Sequence, residues 1–198
     1  MLNKQSGIKK IYEDRLRVAA INQQYSRDVM EELSHSETIK LLSIAGYEYI
    51  GKGEGESLFY DVLRERNWIK VESVILNPDN DEVINERIHQ LRKILPPYTK
   101  EDLKKEICNT IDKFKTLNKI RSDRTVQLYY CKFHPIFRLI ILDKCLFMST
   151  YEIDRHGHES PVYKIDKVTE DNKDNLSLYD SFNNLFDKLK ENSTEVSL

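Results

Sequence analysis

The segment from Val126 to Glu152 constrains the fold most, because it is the one long β-type stretch in a chain that is otherwise helical and charged. Its β-branched and aromatic content predicts three consecutive strands, at 126–133, 137–142 and 145–151. Pro135 interrupts the run because its ring removes a backbone donor, and Asp143-Lys144 predicts a tight turn. Arg138 is the one charged residue in the second strand. Such an arginine either pairs with a carboxylate inside the sheet or points into a site.

Strand and helix patterns alternate along the rest of the chain, which predicts an α/β fold. The sheet is expected to be mixed, with helices on both faces and its first two strands parallel. Near-helical spacing of apolar residues over Ile8–Leu33 predicts helices that pack on the domain or form an oligomer contact. Further strands are predicted at 38–50, 69–76 and 162–165, and helices at 82–95, 99–120 and 176–190, the second of these with a Thr99/Asp102 capping box.

These patterns divide the chain into an N-terminal helical arm (1–36), an α/β domain (37–192) and a disordered tail (193–198). Charged residues make up 32% of the chain, yet the net charge is -2, which disfavours non-specific nucleic-acid binding through a global basic field. The three cysteines are widely spaced, as expected of reduced core residues in a cytoplasmic protein. The sequence predicts no membrane span, cofactor or metal site.

Ligands in such sheets bind at the carboxyl ends of the strands. Those ends are predicted to be the Gly-rich loop 51–57, the turn that begins at Asn77, and the stretch 149–158. The Gly-rich loop lacks the Lys-Ser/Thr ending of a P-loop, so a flexible turn is the simpler interpretation. His156 and His158, separated by one glycine, are candidate ligand-binding residues or a polar surface turn.

The spacing of Arg138, Asp143 and Ser149 resembles the active-site motif of the phospholipase D superfamily. In that family a histidine, a lysine two residues on and an aspartate five further on precede a Gly-Ser-x-Asn turn. The histidine attacks phosphorus, and the lysine holds phosphate oxygens. In this chain Arg138 stands at the lysine position, Ile136 at the histidine position and Tyr151 at the asparagine position. Isoleucine cannot act as a nucleophile, and His134 could substitute if Pro135 shifts the register.

The resemblance extends over most of the chain, from the strand that begins at Lys40 to the Phe-rich final helix. It implies a phospholipase D-like layer sandwich with an incomplete motif, of the kind attached to bacterial regulatory and defence proteins. The leading hypothesis is a non-catalytic domain that binds a phosphate-bearing ligand (a nucleotide or nucleic acid) or a partner protein. Arg138 would be central, because its planar fork suits phosphate oxygens. The alternatives are a phosphodiesterase or nuclease that uses His134, His156 or His158, and a homodimerisation module that uses the N-terminal arm.

Overall fold

The computed structural model describes residues 7–12, 24–93, 97–121, 125–153, 160–168 and 177–198. These residues form eight strands, five α-helices and one π-helical turn. The elements are β1 (Ile8–Tyr12), α1 (Gln24–Ser34), β2 (Thr38–Leu42), the π-helical turn (Tyr47–Gly51), α2 (Tyr60–Glu65), β3 (Lys70–Leu76), α3 (Asp81–Gln90), α4 (Lys100–Ile120), β4 (Val126–Cys131), β5 (Phe137–Ile141), β6 (Cys145–Thr150), β7 (Val162–Asp166), α5 (Leu178–Glu191) and β8 (Thr194–Glu195).

All eight strands belong to one mixed sheet with the order β1-β7-β6-β5-β2-β3-β4-β8. Strands β2, β3 and β4 are parallel, and every other neighbouring pair is antiparallel. The predicted α/β class, the mixed sheet and the parallel pairing of the first two domain strands are therefore confirmed. The three consecutive strands predicted between Val126 and Glu152 are also confirmed, as β4, β5 and β6.

Helices cover both faces of the sheet. On one face, Phe182 of α5 packs edge-on against Phe137 of β5, with the ring centroids 5.2 Å apart. On the other face, Tyr25 of α1 packs against Phe147 of β6 at 5.7 Å. Phe147 pairs with Ile140 across the β5–β6 ladder, and Arg138 lies two residues before Ile140. Arg138 therefore shares the face of α1, because alternate residues of a strand point to the same side.

Local signals define the ends of the long helices. The Thr99 hydroxyl of α4 accepts a hydrogen bond from the Asp102 amide, and the Asp102 carboxylate accepts one from the Thr99 amide. This reciprocal pair is the predicted capping box. Ser177 caps α5 in a similar way, by accepting from the Asp180 amide. Both helices then bury an apolar stripe that includes Phe114 and Phe186, which are fully buried in the common core.

The N-terminal arm differs from its prediction. Residues Ile8–Tyr12 were expected to be helical but form β1, an edge strand that pairs antiparallel with β7. Within β1, Tyr12 is buried while Ile11 is 44% exposed, as expected of a strand and not of an apolar helical stripe. Pairing with β7 thus determines the conformation of this segment, and the near-helical spacing of its apolar residues does not. Helix α1 is present as predicted, and the prediction for 13–23 lies outside the described residues.

The first domain strand is shorter than the predicted 38–50. It ends at Leu42, and the π-helical turn Tyr47–Gly51 follows. Gly46 caps that turn at φ 68°, a left-handed conformation that other residues adopt at a cost. Gly51 packs against α4 so closely that a Cβ atom would collide with the Thr110 side chain. The glycines therefore end the strand early and hold the following loop against α4.

The C-terminal tail also differs from its prediction. Residues 193–198 were expected to be disordered, but Thr194–Glu195 form β8, which pairs antiparallel with the exposed edge of β4. The Val196 amide then donates to the Leu128 carbonyl at 2.8 Å. Backbone pairing orders this segment, and composition alone does not reveal that pairing. No helix in the described ranges is long and apolar enough to cross a membrane.

Candidate anion-binding cavity

A cavity of about 220 Å³ lies at the edge of the sheet where the parallel strands end. Its wall is built from the loop after β2, from α3 and α4, and from the ends of β5 and β6 that meet at the same edge. The side chains that matter for its chemistry are Ser43, Glu48, Arg87, Glu106, Arg138 and Tyr151. The cavity therefore lies at the carboxyl ends of the parallel strands, where α/β sheets bind ligands. The loop that lines it is 43–49, and not the predicted Gly-rich loop 51–57.

Arg138 is the central charge of this cavity and is only 7% exposed. Its guanidinium carbon lies 5.5 Å from the Tyr151 ring centroid and 5.9 Å from that of Tyr49. Among the described residues, no carboxylate lies within ion-pair distance of it. Of the two alternatives predicted for Arg138, the described residues therefore do not show pairing with a carboxylate inside the sheet. Burial lowers the pKa of Arg138, but Tyr49, Tyr151 and Tyr25 outweigh it and hold the pKa above its usual value.

The tyrosines near Arg138 do not neutralise it at neutral pH. Burial, partly offset by the Arg138 charge, raises the pKa of Tyr49 to about 12. Burial likewise raises the pKa of Tyr25 well above its usual value. Both hydroxyls are therefore protonated and uncharged when the guanidinium is charged. Arg138 carries a buried positive charge stabilised by aromatic faces and hydroxyl dipoles, which a bound anion would stabilise far more strongly.

Arg87 of α3 places a second guanidinium at the cavity and is only 3% exposed. It donates hydrogen bonds to the side-chain oxygen of Gln90 at 3.1 Å and to the Glu152 carbonyl at 3.2 Å. Its guanidinium carbon lies 5.3 Å from the same Tyr151 ring that Arg138 contacts. Burial and the charge of Arg138 both lower the pKa of Arg87. Two like charges thus share one buried site, an arrangement that favours an anion between them.

Two hydroxyl groups complete this end of the cavity. The Tyr151 hydroxyl accepts a hydrogen bond from the Ile44 amide at 3.0 Å, which fixes the ring against the loop after β2. The Ser43 hydroxyl is buried and has no hydrogen-bond partner among the described residues. An unpaired buried hydroxyl costs free energy that a ligand oxygen would recover. Ser43 therefore offers a donor next to the positive end of the cavity.

Ser149 and His134, both predicted site residues, lie near Arg138. Ser149 is buried and pairs with Arg138 across the β5–β6 ladder. The His134 ring packs edge-on against Tyr151 with the centroids 6.2 Å apart, but His134 does not line the cavity. Its Nε2 atom is buried and has no hydrogen-bond partner in the described part of the chain. Burial and the charge of Arg87 lower the pKa of His134 to about 4, so the ring is neutral at neutral pH.

The other predicted site residues lie apart from Arg138 or outside the description. Asn77 follows β3, and its side-chain oxygen accepts from the Asp79 amide at 2.9 Å within the turn. Asp143 lies beyond the opposite end of β5, roughly 17 Å of strand from Arg138. There it accepts from the Glu37 amide at 2.7 Å and lines a second cavity of about 320 Å³. His156 and His158 lie outside the described residues.

The sequence prediction missed Arg87, Tyr49 and Glu106 as residues of the site. One signal was available for Arg87, which falls four residues after Val83 on the buried stripe of α3. A charged residue on an apolar helical stripe points to a site by the same argument that applies to Arg138. In the described ranges, no group of three or more His, Cys, Asp or Glu side chains converges to hold a metal ion.

Comparison with known proteins supports the fold but does not name a family. No protein-family model and no curated protein matches the chain. Among solved structures, it is similar to TrmBL2, described as an archaeal chromatin protein with a novel mode of DNA binding. The TM-score is 0.51 and the identity 12%, over 98% of this chain and 56% of TrmBL2. The chain thus spans about half the length of TrmBL2, and the likeness concerns the fold alone.

Proposed function

We propose that this chain is a non-catalytic binding domain whose cavity recognises a small phosphate-bearing ligand through Arg138. One observation carries the proposal: a guanidinium that is 93% buried faces a cavity and has no carboxylate partner in the described residues. A buried uncompensated charge costs several kcal/mol, so folds retain one mainly where a ligand neutralises it. Arg87 and the Ser43 hydroxyl add donors at the same place.

A phosphate group suits these donors better than a carboxylate does. Its oxygens can accept from the planar fork of Arg138, from Arg87 and from a hydroxyl at the same time. A cavity of about 220 Å³ admits a phosphate and a few attached atoms. That size favours a small ester over duplex nucleic acid. TrmBL2 is described as binding DNA, so DNA remains an alternative ligand on the basis of fold alone.

Calorimetric titration with inorganic phosphate and with ethyl phosphate tests the proposal. We expect both to bind the wild-type protein and to lose at least about tenfold in affinity for Arg138→Met, because a buried charge-assisted contact is removed. The control is Lys40→Met, which removes a cation from the second cavity and should leave both affinities unchanged. Equal binding by Arg138→Met and the wild type would refute the proposal, and duplex DNA displacing phosphate would favour the DNA alternative.

The sequence resemblance adds a second part to this proposal, namely that the domain is a degenerate phospholipase D-like sandwich. Its support is the mixed sheet together with the adjacency of Arg138 and Ser149 across the β5–β6 ladder. A phosphodiesterase that uses His134 is the alternative, favoured by the unpartnered Nε2 atom of that ring. Hydrolysis of bis(p-nitrophenyl) phosphate by the wild type, abolished in His134→Gln, would establish the enzyme. Equal or absent hydrolysis in both would exclude it.

The predicted homodimer and the cytoplasmic location stay predictions. The face of α1 that suggested a dimer seam buries Tyr25, Val29 and Leu33 inside the chain's own core. Light scattering of the purified protein tests the dimer directly.

A further inference from the structure

The cavity has a second end whose charge is opposite to that of the arginine end. Glu48 from the π-helical turn and Glu106 from α4 both line it. Tyr98 also lines the cavity, and its pKa, raised mainly by burial, is raised further by Glu106 and lowered by Arg87. The cavity is therefore lined by two guanidinium groups, Arg138 and Arg87, and by two carboxyl groups, Glu106 and Glu48.

The two carboxylates are not equally compensated. Glu48 forms an ion pair with Lys52 one helical turn away, at 3.0 Å. Glu106 forms no ion pair with any described lysine or arginine. Burial raises the pKa of Glu106, and the Glu48 charge adds to the effect, while a hydrogen bond from Tyr98 and the charge of Lys52 offset part of it. A cation brought between Glu48 and Glu106 would relieve this repulsion.

The aromatic lining of this end also suits a cation. Tyr47 and Tyr98 line the cavity beside the two glutamates. The Lys52 ammonium already lies 5.9 Å from the Tyr47 ring centroid, so the ring face is an acceptable neighbour for an ammonium group. Carboxylates flanked by tyrosine rings form a common arrangement for binding an amine. The two ends together thus offer sites of opposite charge within about 220 Å³.

We propose that the ligand is a zwitterionic phosphate ester, with its phosphate against Arg138 and Arg87 and its ammonium against Glu106 and Glu48. This inference rests on the proposed phosphate-binding function and assigns the chemical class of the ligand. Ser43 donates to the phosphate. A short linker of two or three carbons between phosphate and amine matches a cavity of this volume.

Three esters that differ in one group test the inference: ethyl phosphate, 2-hydroxyethyl phosphate and 2-aminoethyl phosphate. Titrations at about pH 8 keep the amine charged, and the high pH favours the ionised form of Glu106, whose pKa is raised by burial. For the wild type we expect 2-aminoethyl phosphate to bind roughly tenfold more tightly than the other two, the size of one hydrogen-bonded ion pair. Glu106→Gln should abolish that gain, and it should bind ethyl phosphate at least as tightly as the wild type does, because it removes a negative charge from the cavity. Glu101→Gln, on the exposed side of α4, is the matched control and should retain the gain.

The outcomes separate this inference from the proposed function. If ethyl phosphate binds in an Arg138-dependent way and the amine adds nothing, the zwitterionic ligand is refuted and the phosphate site stands. The same holds if the hydroxyl matches the amine, because Glu106 would then recognise a neutral donor. If no ester binds, both proposals fail. A gain that survives Glu106→Gln but disappears in Glu48→Gln would place the amine at Glu48 alone and refute the role of Glu106.

Discussion

A buried arginine lies at each end of the parallel strands, and the two arginines have different surroundings. At the carboxyl ends of the parallel strands, Arg138 faces a cavity with aromatic neighbours and no carboxylate partner among the described residues. Near their amino ends, Arg121 is just as buried but donates to the Asn67 and Ile69 carbonyls. Backbone carbonyls surround Arg121, whereas Arg138 is surrounded by uncharged tyrosine side chains and faces a cavity. Burial of an arginine therefore indicates a binding site when the guanidinium faces a cavity and has no carboxylate partner.

The largest effect on stability is expected at the amino end. Arg121→Met removes the guanidinium donors to the Asn67 and Ile69 carbonyls, and the Thr125 hydroxyl at 3.4 Å from the Asn67 carbonyl does not replace them, so the free energy of unfolding should fall by about 3 kcal/mol. Urea denaturation measures the change, and phosphate binding by the folded variant should equal that of the wild type. A stability loss below about 0.5 kcal/mol would show that Arg121 is no more structural than Arg138.

A pH dependence is expected at the carboxyl end through His134. Burial and the Arg87 charge lower its pKa to about 4, so below the ordinary value of 6.5 the unfolded chain takes up the proton first. Stability should therefore fall as the pH drops from about 6.5 to about 4, by about 2 kcal/mol after allowance for partial exposure.

His134→Gln should remove this part of the pH dependence. The test compares urea unfolding of wild type and variant at several pH values, with exposed His35→Gln as the control for loss of a histidine elsewhere. An identical acid slope in wild type and His134→Gln would contradict the buried, neutral ring.

Two tyrosine hydroxyls, one at each end of the parallel strands, provide a matched pair for comparing the two ends. The Tyr151 hydroxyl accepts from the Ile44 amide at the cavity, and the Tyr179 hydroxyl donates to the Leu142 carbonyl at the opposite end. Tyr151→Phe and Tyr179→Phe should each cost about 1 kcal/mol of stability. Phosphate affinity should fall a few-fold in Tyr151→Phe alone, because its hydroxyl holds the loop that carries Ser43. Equal affinities in the two variants would mean that this hydroxyl does not shape the site.

The smallest effect is expected from the ion pair of Lys40 and Asp187 at the second cavity. The pair is 2.7 Å long, but the two side chains are 18% and 36% exposed. A double-mutant cycle with Lys40→Met and Asp187→Asn should give a coupling free energy of about 0.5 kcal/mol that weakens with salt. A coupling above about 2 kcal/mol would show that charge at this end matters as much as at the carboxyl end.

Much of this comparison was predictable from sequence, because the pattern around Arg138 is local. A charged residue inside an apolar strand indicates a site or a buried pair wherever it occurs. The antiparallel pairing of β5 with β2, which brings Arg138 to the loop after β2, is seen only in the structure. Arg87 carried a similar but weaker signal on α3. Spacing and topology therefore predict Arg138 as a candidate and the strand ends as the place to look for a cavity.

The remainder depended on contacts between distant parts of the chain. β1 and β8 are strands because β7 and β4 offer free edges, which no local pattern at Ile8–Tyr12 or Thr194–Glu195 encodes. Asp143 stood in motif spacing with Arg138, yet a strand places residues five apart at its opposite ends. Nothing in the sequence distinguishes Glu106 from the other charged residues of α4, and only the packing of α4 against the π-helical turn brings it to the cavity.

The most direct test of the central claim is the unfolding free energy of wild type and Arg138→Met with and without inorganic phosphate. Without phosphate, we expect the variant to be as stable as the wild type or about 1 kcal/mol more stable, because an uncompensated buried charge is removed. Phosphate at ten times its dissociation constant for the wild type should stabilise the wild type by about 1.4 kcal/mol and the variant, with at least about tenfold lower affinity, by at most about 0.4 kcal/mol. A variant that is strongly destabilised without phosphate, beside a wild type that ignores phosphate, would show that Arg138 supports the fold and binds no anion.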